Sequence, residues 1–203
     1  MGLAHTLLRL SWNVLDMNNI PYTCILLDEA GALASEAGDS LIAGWVAQTR
    51  GDIAYDQNDF KQAYTQYTTS LLHFQQAQFP SRIVDAFIKL ARAALYMGDL
   101  NLAETHLKDA LVFIRESLRN DEDWPFLLSV LATVAKEFGQ FKRAAHLLAA
   151  AYDEETVYWS QQLPERYPYL NDIAAVRVHM GETAFAAAWS AGKAMTQKEA
   201  IDY

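Results

Sequence analysis

GDIAYDQNDFKQAYTQY, residues 51–67, is matched forty residues further on by ARAALYMGDLNLAETHLKDAL, residues 91–111. Both stretches begin with a small residue, pass through a short polar turn, and place an alanine soon after the turn. Apolar residues recur every three or four positions on both sides of the turn, which is the period of a helix that buries one face. Each stretch therefore predicts two amphipathic helices joined by a tight turn.

The same pattern recurs along the whole chain. One row of small residues advances in steps of 40, 40 and 41, at Ser11, Gly51, Ala91 and Ala132. Large apolar residues follow nine positions later, at Ile20, Phe60, Leu100 and Phe141. A second small-residue row lies three positions beyond these, at Thr23, Ala63, Ala103 and Ala144. A fifth copy, VHMGETAFAAA (178–188), brings Gly181 close to the position that Gly98 and Gly139 hold in the earlier copies.

These rows predict stacked helix pairs. Small residues are needed where two helices cross closely, because a larger side chain would push the helix axes apart. Glycine suits the left-handed backbone at the end of a first helix, and Asp59 and Asp99 then stand at N-cap positions. We therefore predict an all-α fold, a right-handed α-α superhelix of about five helix pairs with a repeat of about 40 residues. Helices are expected at 3–17, 20–37, 41–57, 60–78, 82–97, 100–118, 124–138, 141–160, 170–180 and 182–193, with a short one after Thr196.

The repeats are expected to form one domain, residues 1–203. Its units run over about 1–38, 39–79, 80–121, 122–160 and 168–195, followed by a short helix from 197. Residues 158–169 break the rhythm, because Pro164 and Pro168 interrupt helix there. The aromatic residues of this linker are expected to pack over the last helix pair, with a lid over a ligand cleft as the alternative: Tyr158, Trp159, Tyr167 and Tyr169.

The rows resemble the tetratricopeptide repeat (TPR) family. That family has a small residue, a larger apolar one, a turn and then an alanine near the start of the second helix. Its usual repeat has 34 residues, shorter than the period here. HEAT and armadillo repeats also run near this period, but the small-residue rows favour a TPR-like repeat.

The tail narrows the resemblance. AAHLLAAAY (144–152) and GETAFAAAWSAGKAMTQKEAIDY (181–203) resemble the C-terminal repeat region of bacterial signal-transduction ATPase regulators of the LuxR type and the maltose-regulator type. The resemblance implies a scaffold or sensor module of a bacterial signalling or transcriptional regulator.

Composition and motifs exclude several classes of function. The net charge of −9 argues against direct contact with nucleic acid or an anionic membrane surface. The single cysteine, Cys24, excludes an internal disulfide; we expect it to be a small buried residue, and the protein to be cytoplasmic. The sequence lacks H-E-x-x-H, C-x-x-C, G-x-S-x-G and dinucleotide-binding glycine patterns. We therefore expect a non-enzymatic protein without metal site or cofactor, and an enzyme of unrecognised type is the remote alternative.

First helices line the concave face of a helical solenoid, so counting from the small-residue row predicts which side chains face a partner. The candidates are Trp45, Gln48, Asp52 and Tyr55 in the second unit, Asp85, Arg92 and Tyr96 in the third, and Phe126 and Lys136 in the fourth. Trp12 continues the row in the first unit. Aromatic rings offer contact area, and Arg92 between Tyr55 and Tyr96 is the best single anchor for a carboxylate.

Two alternatives stay open at these positions. The aromatic residues can instead belong to the core between helices. The partner is expected to be a protein or peptide on the concave face, and the alternative is a small-molecule inducer, for example a sugar or a peptide.

The first helix is unusually apolar for the end of a solenoid, where a polar cap is needed. Its apolar residues are Leu3, Leu7, Leu8, Leu10 and Trp12. They predict a covered end: either the chain is an excised fragment of a larger regulator, or it forms a homodimer through the apolar end.

Overall fold

The computed structural model describes residues 2–117, 124–152, 154–162 and 168–203, and over these residues all regular structure is α-helical. The predicted all-α fold is confirmed for this part of the chain. The chain divides into two compact units, Met1–Gly98 and Asp99–Tyr203. The division falls inside the third predicted repeat.

The first unit contains α1 (Leu3–Asp16), α2 (Ile20–Ala37), α3 (Ser40–Asp56), α4 (Phe60–Gln76) and α5 (Pro80–Tyr96). In the second unit the described residues form α6 (Leu100–Ser117), α7 (Trp124–Glu137), α8 (Phe141–Ala150), α9 (Glu154–Gln162), α10 (Tyr169–Met180), α11 (Glu182–Lys193) and α12 (Gln197–Asp202). In the first unit, helices that follow one another in sequence pack against each other, whereas in the second unit α8 packs against α7, α10 and α11, and α12 packs against α7 and α8. The first helices α1, α3 and α5 alternate with the second helices α2 and α4.

Both small-residue rows are buried. Seven of their members have no exposed surface: Ser11, Thr23, Ala63, Ala91, Ala103, Ala132 and Ala144. The eighth, Gly51, lies so close to α4 that an added Cβ atom would come within 2.5 Å of the Tyr67 ring. The rows therefore mark the helix crossings, as the sequence predicts.

The turns between paired helices repeat in the same register. Their left-handed residues are Asn18, Asn58, Gly98 and Gly139, with φ of 57°, 61°, 82° and 74°. Each of the predicted N-cap residues follows such a position. Asp59 accepts a hydrogen bond from the backbone N–H of Gln62, and Asp99 accepts one from Leu102, both at 3.0 Å. These caps stop one helix and start the next within three residues.

The prediction of one helix over 141–160 is wrong, because α8 ends at Ala150 and α9 begins at Glu154. The Tyr169 hydroxyl donates to the carbonyl of Leu148 at 2.7 Å. That carbonyl would otherwise accept the N–H of Tyr152, which instead bonds to Ala149 at 3.3 Å. The last turn of α8 is therefore completed by a side chain, and the helix stops there.

Other linker residues differ in their placement. Tyr169 is buried, as expected, whereas Tyr158 is 52% exposed. Pro164, Tyr167 and the Trp159 side chain lie outside the described residues.

Cys24 is exposed, which corrects the expectation of a buried position. The neighbouring Thr23 occupies the buried place on α2, and its hydroxyl donates to the Asn19 carbonyl at 2.9 Å. Successive residues of a helix point in different directions, so Cys24, next to the buried Thr23, points outward.

Candidate functional site

Polar side chains connect each first helix of the first unit to the next. We call this surface, formed by α1, α3 and α5, the first-helix face. Four hydrogen-bonded pairs cross it, each joining residues 37 positions apart: Trp12–Thr49, Gln48–Asp85, Asp52–Lys89 and Tyr55–Arg92. The spacing is three residues shorter than the 40-residue repeat. Each side chain therefore contacts a residue of the next first helix that lies about one helical turn before its own equivalent in that repeat.

At one end of the face, two side chains converge on one carboxylate oxygen. Asp85 Oδ2 accepts a hydrogen bond from Gln48 Nε2 at 2.9 Å and another from Arg82 Nη1 at 3.5 Å. The Arg82 guanidinium also lies over the Trp45 ring, 4.8 Å from its centroid. Gln48 Oε1 and Arg82 Nε have no hydrogen-bond partner among the described residues. The cluster thus keeps one unused acceptor and one unused donor.

Trp45 itself is half-buried and held edge-on by two further rings. The centroid of Trp12 lies 5.4 Å away and that of Phe74 5.6 Å away. This supports the alternative in which the tryptophans pack between helices, while one side of Trp45 still faces Arg82.

In the middle of the face, Asp52 accepts two hydrogen bonds at the same oxygen. Lys89 Nζ donates at 2.7 Å and the Tyr67 hydroxyl at 2.8 Å. The Lys89 ammonium also lies 5.6 Å from the Tyr67 ring centroid. Asp52 is therefore neutralised within the protein and is held in one orientation.

At the other end, Arg92 is buried against Tyr55. Its guanidinium lies 4.8 Å from the centroid of the Tyr55 ring and donates to the Tyr55 hydroxyl at 3.1 Å. Burial raises the pKa of the Tyr55 hydroxyl far above its ordinary value, although the charge of Arg92 opposes this. The phenol is therefore neutral at physiological pH and accepts from the guanidinium.

Tyr96 is the exposed member of an aromatic group at this end. It stacks on Phe60 at 5.0 Å and meets Tyr55 edge-on at 5.6 Å, yet 40% of it is exposed. Of the predicted residues here, Tyr96 is thus partly exposed to solvent, whereas Arg92 is buried and hydrogen-bonded to Tyr55.

The two candidates in the second unit lie on α7. Phe126 is half-buried, and Lys136 Nζ contacts the buried Asp172 of α10 at 2.5 Å. Burial lowers the pKa of the Lys136 ammonium, but its hydrogen bond to Asp172 and the carboxylate charges of Asp172 and Glu137 outweigh this, so the pKa is raised. Thr133 also donates to Asp172, at 2.6 Å. Lys136 therefore joins two first helices, as Lys89 does in the first unit.

Sequence reasoning missed three charged residues of these clusters: Arg82, Lys89 and Asp172. Lys89 and Asp172 complete buried or half-buried ion pairs, and Arg82 covers Trp45. The 37-residue step that connects Asp52 to Lys89 is seen only when the first helices are packed together, so the sequence alone carries no signal for it.

Two hollows lie away from the predicted residues. One, of about 520 Å³, is bounded by α2, α3 and α4 and has the Asp28–Arg50 ion pair at its rim. The other, of about 480 Å³, lies beside the start of α1 and is lined mostly by apolar residues, among them Leu3 and Ala34.

Two further properties hold for the part of the chain that the structure describes. It contains no group of three or more histidine, cysteine, aspartate or glutamate side chains placed to hold a metal ion. None of its helices combines the length and the apolar character needed to cross a bilayer.

No family model and no curated protein matches the sequence. Solved structures match in fold. The Q17M form of a Podosopora anserina chain, described as a kinesin light chain with nearly identical TPR-like repeats, superimposes with a TM-score of 0.60 at 15% identity, covering 100% of this chain and 94% of that one. A second structure of that description gives a TM-score of 0.58 at 15% identity, with coverage of 98% and 91%. The chain therefore has a TPR-like helical-repeat fold.

Proposed function

We propose that this chain is a non-enzymatic protein-binding module, and that the first-helix face of residues 1–98 receives an extended peptide segment of its partner. The observation that carries the proposal is the convergence of Gln48 and Arg82 on Asp85, with the partly exposed Arg82 guanidinium held over the Trp45 ring. A TPR-like repeat fold is consistent with a scaffold that binds other proteins.

The accessible part of the cluster is the Arg82 guanidinium. Its side chain is 32% exposed, and it has N–H groups beyond the one that contacts Asp85, so a peptide carbonyl can accept a hydrogen bond from it. Gln48 is only 5% exposed and donates to Asp85, so the support of Arg82 is already in place and little side-chain entropy is lost when the peptide binds.

The remaining residues of the face add contact area and shape the site. Tyr96 presents an exposed aromatic ring, and Trp45 and Arg82 form a stacked pair at the opposite end of α5. Asp52 and Arg92 are already satisfied by Lys89 and Tyr55, so their role is to hold the face in place. Phe126 and Lys136 are proposed as contacts for a partner of the second unit.

The finer biological role rests on the resemblance of the tail alone. We propose that the module acts as a scaffold or sensor arm of a bacterial signalling or transcriptional regulator in the cytoplasm. A small-molecule inducer is the alternative occupant, but neither hollow described above is lined by a predicted residue of the face. Calorimetry against sugars and short peptides separates the two kinds of ligand.

A selection for peptide binders tests the proposed site. Peptides are selected on the full chain from a random phage-displayed library, synthesised, and measured by fluorescence anisotropy. Arg82→Ala is expected to weaken their binding about 5- to 20-fold, the usual effect of losing one anchoring side chain.

Arg50→Ala is the matched control. Arg50 and Arg82 are each paired to an aspartate and have similar exposed fractions, 38% and 32%, but Arg50 lies beside the α2–α4 hollow. Its removal should leave the affinity unchanged. Equal losses in both variants, or no loss in Arg82→Ala, would place the binding site elsewhere.

A further inference from the structure

An apolar surface lies at the outer side of α1. We call it the end surface and define it by three exposed residues: Leu3, Leu10 and Met17. Their exposed fractions are 61%, 40% and 79%. Exposed large apolar residues are common one at a time, but a row of them along one side of a helix indicates an interaction surface.

The repeat register shows what this side of a first helix does elsewhere in the first unit. Forty residues after Leu3 and Leu10 stand Ala43 and Arg50 of α3, which face α2 across the larger hollow. Another forty residues on, Ile83 and Leu90 of α5 are 4% and 1% exposed, and Leu90 packs with residues of α4. This side of α3 and α5 thus meets a helix, while on α1 it is bare.

The hollow beside Leu3 has a similar explanation. In the second repeat, Phe74 of α4 is fully buried against Trp45 and lies over Gly44. The residue forty positions earlier is Ala34, and the hollow of about 480 Å³ lies there, lined by Ala34 and Leu3. A large apolar side chain from outside can fill the space that phenylalanine fills in the second repeat.

The spacing of the end surface makes it complementary to itself. Leu3, Leu10 and Met17 are separated by seven residues each, so they lie along one side of the helix. In an antiparallel pair of identical helices centred on Leu10, each Leu3 faces the Met17 of the other copy. Met17, the most exposed of the three, is thereby brought to the hollow beside Leu3, and methionine adapts well to irregular apolar gaps.

Charge also favours the antiparallel arrangement. The start of α1 has no side-chain cap and no acidic residue in its first turn. The same pairing places Asp16 of one copy opposite Ala4 of the other, at this first turn. A carboxylate there is stabilised by the free N–H groups and the positive end of the helix dipole. A parallel pairing would leave both N-termini without an anion.

We infer that two copies of this chain pair through their end surfaces, with α1 antiparallel to its symmetry mate and Leu10 at the two-fold axis. Such an interface is isologous and closes at two copies. The inference is independent of the first-helix face and of the peptide proposed to bind there.

Sedimentation velocity of the full chain over a concentration series tests the pairing. The wild-type protein is expected to form dimers, and Leu10→Asp is expected to weaken the association at least about tenfold, because two carboxylates would meet at the axis. Leu72→Asp is the matched control: Leu72 is 56% exposed on α4, away from the end surface, and this variant should associate as the wild type does.

Cysteine cross-linking in a Cys24→Ser background tests the geometry. Leu10→Cys should form a covalent dimer on mild oxidation. A mixture of Leu3→Cys and Met17→Cys chains should yield a mixed dimer, and neither chain alone should cross-link efficiently. Dimers that persist in Leu10→Asp, oligomers that grow beyond two copies, or a monomer up to several hundred micromolar would each overturn the inference. A dimer that forms without the mixed cross-link would overturn the antiparallel register.

Discussion

His146 illustrates how one residue can connect the end of the chain to its core. Its ring is almost fully buried on α8, and Nδ1 lies 2.7 Å from the hydroxyl of Tyr203. The two rings meet edge-on, with centroids 5.0 Å apart. The Tyr203 hydroxyl can donate a hydrogen bond to a neutral Nδ1 or accept one from a protonated Nδ1. The end of the chain therefore contacts a buried side chain that can change its protonation state.

We predict that acid weakens the folded state through His146. Burial, together with the positive charge of Lys142, lowers the pKa of the imidazole below its ordinary value of 6.5. The unfolded chain then takes up the proton at a higher pH than the folded chain does. The contribution of His146 to the free energy of unfolding is therefore complete above about pH 6.5 and declines as the pH falls toward the lowered pKa. The free energy of unfolding of the wild type, measured with urea, should be smaller at pH 5.5 than at pH 7.5.

His146→Gln should reduce this fall. It should not abolish it, because burial also lowers the pKa of His106. An unchanged pH dependence in His146→Gln would contradict the role given to this residue.

At the scale of the elements, the helix ends follow from short-range chemistry. Asn or Gly takes the left-handed position and Asp or Asn caps the next helix, so the turns were readable from the sequence. The end of α8 was not, because its carbonyl is taken by Tyr169, twenty-one residues away. The pairing of Asp52 with Lys89 was missed for the same reason. The two residues are 37 positions apart, and the sequence around Asp52 does not indicate which lysine it contacts. Most helix bounds could therefore be predicted from neighbouring residues, whereas the contacts of the candidate site join residues that are distant in sequence.

The turn at Gln78 gives a test of this local chemistry. Gln78 adopts a left-handed backbone with φ of 51°, which costs a residue with a side chain about 1–2 kcal/mol. Gln78→Gly should therefore raise the free energy of unfolding, by about 1 kcal/mol. Gln75→Gly, an exposed position three residues earlier inside α4, should lower it by a similar amount, because glycine is a poor helix former. Chemical denaturation of both variants measures the two signs, and equal signs would refute the explanation.

At the scale of the molecule, neighbouring helices carry the stability. In repeat proteins each unit contacts mainly its neighbours, so a local defect need not spread along the chain. The crossing of α3 and α4 at Gly51 is a suitable place for such a defect, because the Tyr67 ring leaves no room for a Cβ atom.

We predict that Gly51→Ala destabilises the protein by about 1–3 kcal/mol through overpacking. Hydrogen exchange should show the loss of protection concentrated in α3 and α4 and smaller in α7 and α8. Gly31→Ala is the control, since its Cβ would meet only Val46 at an ordinary 3.4 Å. Uniform loss of protection over both units would instead indicate a single cooperative block.

The 37-residue step of the polar pairs has a consequence for how such a chain can evolve. If the second repeat were duplicated in place, Gln48 would face a copy of Trp45, Asp52 a copy of Thr49, and Tyr55 a copy of Asp52. The junction between the two identical copies would lack these native pairs, which would form only between the new copy and the third repeat, although the small-residue rows would survive. The repeats share one shape but are not interchangeable, because the polar pairs of the first-helix face depend on which repeat follows which.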